Sequence, residues 1–122
     1  MAKDDHLRRG RSAEAWACEQ LRRRGLRLVA RNYRCKGGEL DLIMRDRDVL
    51  VFVEVRYRRS DRYGSAEETV GRRKQAKLVT AALHFLQATG RSDTACRFDV
   101  VSIGDSPDGR PDVHWIQDAF QA

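Results

Sequence analysis

Apolar positions recur along this chain with two different periods, and the switches between them lay out its elements. Ala13, Trp16, Ala17, Gln20 and Leu21 fall at helical spacing, which predicts a helix over residues 12–24 with Ser12 as its N-cap and Gly25 as its stop. Arg22, Arg23 and Arg24 would occupy its last turn, where the helix dipole favours cations. From Leu26 the period becomes two, with Leu26, Leu28 and Ala30 alternating against Arg27, Val29 and Arg31. A strand is expected over 26–34, broken by Gly37-Gly38. A second strand over 39–45, a polar turn at 46–48 and a valine-dense third strand over 49–58 follow. Beyond a polar loop at 60–65, a long helix is expected over 67–89, basic in its first half, apolar in its second and stopped by Gly90. A strand over 95–103, a turn rich in Asp, Gly and Pro, and a short last strand over 113–116 complete the order αβββαβ(β). That is an α/β fold, a mixed sheet flanked by helices.

Within the second and third strands, residue type conflicts with pattern. Both are built for a core, yet each holds an acid well away from the turn: Asp41 in Glu39-Leu40-Asp41-Leu42-Ile43 and Glu54 in Val51-Phe52-Val53-Glu54-Val55. A buried carboxylate is costly unless it is paired or binds a metal. If Arg47-Asp48 form a two-residue hairpin loop, paired positions have numbers that add to 95, and Asp41 falls opposite Glu54. Leu40, Leu42 and Met44 then meet Val55, Val53 and Val51 on an entirely apolar second face. Cross-strand partners have Cβ atoms roughly 5 Å apart, and two carboxylates that close repel unless a cation or a proton lies between them. Mg²⁺ or Mn²⁺, hard ions that take oxygen ligands, suit that position. Arg56, two residues after Glu54, shares its strand face. It is a permanent cation that does not act as a base, so its expected task is to neutralise charge on a phosphate undergoing attack. The plainer reading of Glu54 and Arg56 is an ordinary salt bridge, and the register of Asp41 weighs against it.

Composition and charge narrow the class of partner. At 122 residues with 41% apolar composition, the chain is the size of one soluble domain. No apolar stretch nears the roughly 20 residues that a membrane span needs. The polar start, MAKDDHLRRG, lacks the core of a signal peptide, so a cytoplasmic protein is expected. Residues 1–10 are expected to form a flexible arm. Cys18, Cys35 and Cys96 show no CxxC spacing, which argues against a disulfide framework or a zinc knuckle. The net charge is +6, unevenly spread. Residues 1–36 contribute +7 and 56–77 contribute +5, whereas 37–55 contribute −3. Basic blocks around a small acidic centre suit a phosphate-backbone binder with a cation site. Arg11 by the first helix, Arg58 and Arg59 in the following loop, and Lys74 and Gln75 at the front of the second helix are the candidate backbone contacts.

The pattern GRSAE…GLRLVARNYR…GGELDLI…VFVEVRYR…RFDVV resembles the YraN-like family of small bacterial endonucleases. That family lies in the PD-(D/E)xK nuclease superfamily and is similar to archaeal Holliday-junction resolvases. The resemblance runs from about Gly10 to Phe120. It implies a restriction-endonuclease-like core in which Asp41 and Glu54 are metal ligands, with the Val55 main-chain carbonyl as a third. Glu14 would be the helical acid that approaches the metal directly or through water. Arg56 stands where the superfamily usually has lysine, and Ala13 where glycine is common. The resolvase likeness further implies a homodimer, since two cuts need two sites.

Three functions follow as expectations: a metal-dependent endonuclease acting on branched or single-stranded DNA, a nucleic-acid-binding module of the same fold that cleaves weakly or not at all, and a structural adaptor. Glu39 ranks second to Asp41, as an acid supporting the site or meeting the phosphate. Asp99 is either a further site acid or a hydrogen-bonded acid that fixes the sheet. His6, His84 and His114 form no group.

Overall fold

The computed structural model describes the backbone of residues 2–58, 70–105 and 108–122, and the side chains of residues 13–57, 70–104 and 108–122. The elements are α1 (Ala2–Arg23), β1 (Arg27–Cys35), β2 (Gly38–Asp46), β3 (Val49–Arg58), α2 (Arg72–Ala88), β4 (Cys96–Asp105) and β5 (Pro111–Phe120). The strands form one mixed sheet in sequential order. β1–β2, β2–β3 and β4–β5 pair antiparallel, while β3–β4 pair parallel across the connection that carries α2.

Strand alternation sends side chains to opposite faces, and each face has its own helix. Ala13, Ala17, Cys18 and Leu21 of α1 pack with Leu42, Met44, Val51, Val53, Val101 and Ile103. Leu78, Ala81, Ala82, Phe85 and Leu86 of α2 cover Ile43, Leu50, Phe52 and Phe98 on the other side. Both helices stop at the predicted glycines. Gly25 (φ 100°) and Gly90 (φ 68°) take left-handed backbone, and the N–H of the next residue, Leu26 or Arg91, reaches back to the carbonyl of Leu21 or Leu86.

Three boundaries differ from expectation. α1 begins at Ala2, so the expected arm at residues 1–10 is helical backbone from its second residue on. Asp4-Asp5 precede Arg8-Arg9, the order a helix dipole favours, but no apolar stripe there betrays the helix. α2 begins at Arg72 rather than 67, because Gly71 has extended backbone (φ −63°, ψ 157°). Residues 59–69, with the expected loop at 60–65, lie outside the described residues. β5 runs ten residues rather than four. It is an edge strand with much polar sequence, and Asp118 (φ 51°) interrupts its alternation.

The approach of α2 to the sheet depends on the β1–β2 turn. A Cβ at Gly38 would lie 2.2 Å from the Lys77 carbonyl oxygen, and one at Gly37 would lie 2.6 Å from Thr80 Cγ2. Only a bare backbone at Gly38 lets the helix settle so low.

Candidate functional site

The β2–β3 register is the expected one: Asp46 pairs with Val49, Met44 with Val51 and Leu42 with Val53. The ladder ends one step before Asp41 and Glu54. The pair next to a two-residue loop exchanges both hydrogen bonds and such pairs alternate, so the Val55 N–H would next meet the Leu40 carbonyl. It donates instead to Asp41 Oδ2, at 2.8 Å. The strands part here, and the Asp41 carboxylate has replaced a main-chain acceptor.

Two neighbouring features mark the same point. Asn32, with φ 50°, falls opposite Asp41 in β1–β2, between the pairs Arg31↔Leu42 and Tyr33↔Leu40. Leu40 packs with the α2-side cluster, not beside Leu42 and Met44 as strict alternation predicts. The strand rotates at Asp41, which corrects that part of the expected face.

Glu54 ends the buried run of β3 and is only 9% exposed. Burial first, then the negative charge of Asp41, push its pKa up to about 7, against the pull of Lys74 and Arg56. Lys74 Nζ of α2 lies 3.5 Å from Glu54 Oε1. The Asp41 carboxyl is also raised, mainly by burial, with the Val55 N–H and Lys74 opposing. Glu14 reaches it from α1, and a hydrogen bond joins the two carboxyls. Burial first, then the charge of Asp41, raise the Glu14 carboxyl as well. The structure therefore draws Glu14, Asp41 and Glu54 together where α1, the strand gap and α2 meet.

Among the described residues no group of three His, Cys, Asp or Glu side chains is arranged to hold a metal ion as it stands. In kind, the donors do fit Mg²⁺ or Mn²⁺: three carboxyls and main-chain oxygen, with no nitrogen or sulfur. The raised Glu14 and Asp41 carboxyls mark a place where a cation would relieve the cost of their charge. In an extended strand a residue's N–H and C=O leave on the same side, so the Val55 carbonyl also faces the gap beside Asp41.

Arg56 lines a cleft with Glu54, Val70, Gly71 and Lys74. The Gln75 amide Nε2 donates to the Val70 carbonyl at 2.6 Å and so ties the segment before α2 to the helix. Arg59 and the side chains of Arg11 and Arg58 lie outside the described residues. Glu39 is exposed and paired with Arg34 at 3.2 Å, and its charge helps raise Asp41 and Glu14.

Asp99 belongs to a different place. It is 1% exposed and accepts hydrogen bonds from Arg97, from Trp115 Nε1 (3.0 Å) and from the Asp118 N–H (2.9 Å). Those bonds stitch β4 to the irregular part of β5, and the sheet-fixing alternative is the one observed. Sequence reasoning missed the approach of Lys74 to Glu54. No local pattern links residues twenty positions apart; the contact follows from the low seat of α2 over Gly38.

The model of Uncharacterised protein family UPF0102 matches residues 13–103, a span that contains Glu14, Asp41, Glu54 and Arg56. The chain is similar to the UPF0102 protein of Nitrosococcus oceani, with 51% identity across 95% of this chain and 94% of that protein. It is 50% identical to that of Pseudomonas savastanoi pv. phaseolicola over the full length of both. With that of Stutzerimonas stutzeri it shares 54% identity over 93% of this chain and 94% of the relative. No helix among the described residues is long and apolar enough to cross a membrane.

Proposed function

The chain belongs to the UPF0102 family, and from the site it carries we propose that it is a metal-dependent endonuclease that hydrolyses DNA phosphodiester bonds in single-stranded or branched substrates. The observation that carries this reading is the convergence of Glu14, Asp41 and Glu54 on a split in the sheet, with all three carboxyl pKa values raised by burial and those of Glu14 and Glu54 raised further by Asp41. A fold does not keep mutually repelling acids in a half-dry site for stability; the arrangement suits a cation.

Asp41, Glu54, Glu14 and the Val55 carbonyl would hold Mg²⁺ or Mn²⁺, which supplies a water made acidic enough to attack at neutral pH. The Val55 N–H fixes the Asp41 carboxylate through Oδ2. Arg56 and Lys74, on either side of the cleft, meet the phosphate oxygens and neutralise the charge that develops on them. Lys74 then exchanges its contact with Glu54 for one with the substrate. A homodimer, giving paired cuts on a branched substrate, is part of the proposal.

A second reading, a nucleic-acid-binding module without cleavage, is favoured by one observation: the three acids are not arranged to hold an ion as they stand. Incubation of the protein with Mn²⁺ and single-stranded or branched DNA, beside Asp41→Ala, separates the two. Loss of roughly a hundredfold or more in cleavage is expected for the variant. Cleavage that survives Asp41→Ala sinks the enzyme reading, and salt-sensitive binding without any cutting supports the second.

A further inference from the structure

A second concavity adjoins the first and shares Lys74 with it. It lies between the β1–β2 turn and the outer surface of α2, with Arg34, Lys36, Lys74 and Lys77 among its lining residues and Glu39 as its acid. Glu39 is spent on Arg34. Lys36 and Lys77 have no acidic partner among the described residues.

These cations come from two elements far apart in sequence, so the cluster is not one solvated helix face. The turn and the helix are pressed together as closely as Gly37 and Gly38 allow, and the lysines cannot drift apart with their backbones. Like charges gathered at the mouth of a concavity cost free energy and focus a positive potential there. The cleft, about 400 Å³, falls in the size range of small-ligand pockets.

We propose that this cleft is a second phosphate site, in which Arg34, Lys36 and Lys77 hold a phosphodiester of the same strand next to the one at Glu54 and Arg56, with Lys74 between the two. The inference rests on the reading of the first cleft as a phosphodiester site. It gives the bound strand a direction, from the split in the sheet toward the β1–β2 turn. It also makes the preferred ligand a strand with a phosphate on that flank rather than an isolated phosphate.

The test is binding of fluorescein-labelled octathymidylate, short enough to stay on one face, measured by anisotropy across a salt series without divalent metal. Lys36→Gln/Lys77→Gln is compared with wild type and with Arg22→Gln/Arg23→Gln at the end of α1 on the opposite face. Both pairs are exposed, and circular dichroism melts verify folding. Loss of two phosphate contacts should flatten the log–log salt slope by about 1.4 for the lysine pair and not for the arginine pair. Binding should weaken on the order of tenfold. Equal slopes in all three proteins, or equal flattening in both variants, overturn the inference while leaving the proposed function standing. Inorganic phosphate is the second probe. If it binds wild type but not the lysine variant while the strand's slope is unchanged, the cleft is a small-anion site and the inference also fails. Failure of wild type to bind the strand at any salt overturns the inference and counts against a single strand as the substrate of the first cleft.

Discussion

Glu54 occupies a position where folding works against its own charge. Its pKa in the folded protein is about 7, against 4.5 for the free side chain, so the folded state holds a proton that the unfolded chain gives up between those values. Stability from this group is complete below about 4.5, is lost as pH rises toward 7, and changes little above. Asp41 and Glu14 are shifted in the same direction. Urea unfolding in chelator should therefore show the protein less stable at pH 8 than at pH 5, by up to about 3 kcal/mol from Glu54. Glu54→Gln should flatten the profile, and a wild type whose stability rises over that window would contradict the assignment. Asp99 has a different environment, in which Arg97, Trp115 Nε1 and the Asp118 N–H all donate to its carboxylate. Asp99→Ala leaves the Trp115 and Asp118 N–H groups and the Arg97 guanidinium without their acceptor. A loss of about 3–5 kcal/mol in denaturant unfolding is expected. The sequence presents both acids alike, each inside an apolar strand. What separates them is the partner set, and two of those partners stand 16 and 19 residues away on a strand whose irregular end has no readable pattern.

Between elements, the decisive contact is that of α2 with the β1–β2 turn. A methyl group at Gly38 would have to displace the Lys77 carbonyl, which is main chain and cannot rotate away. Gly38→Ala should cost about 1–3 kcal/mol in thermal or urea unfolding. Because the helix must rise to admit the methyl, it should also weaken the Lys74–Glu54 contact. A variant as stable as wild type would show that the helix is not seated by this glycine. The β2–β3 hairpin was readable from sequence, since Leu42, Met44, Val51 and Val53 alternate strictly and a two-residue loop leaves one register in which they share a face. The end of the hairpin was not readable. Where β2 leaves β3 depends on Asn32 across the neighbouring strand and on the side chain of Asp41 displacing a main-chain acceptor. Neither leaves a trace in hydrophobic period. The full length of α1 escaped notice for a related reason: its first residues carry charge without an apolar stripe.

In the whole molecule, α1 and α2 pack on opposite faces of the sheet, and Glu14 of one helix and Lys74 of the other both reach the acids at the split. A cation bound there would tie the two layers together as well as serve chemistry, so its presence can be read from stability alone. A ligand that binds only the folded state adds about 2.7 kcal/mol at a hundred times its dissociation constant. For a chain of this size that is a rise in melting temperature of roughly 10 °C. Mn²⁺ or Mg²⁺ should produce such a rise in wild type at pH 7.5, and Asp41→Asn/Glu54→Gln should abolish it. NaCl at matched ionic strength controls for screening of the +6 net charge. Equal stabilisation of wild type and the double variant would place the ion elsewhere, and the three acids would then be held together by shared protons alone.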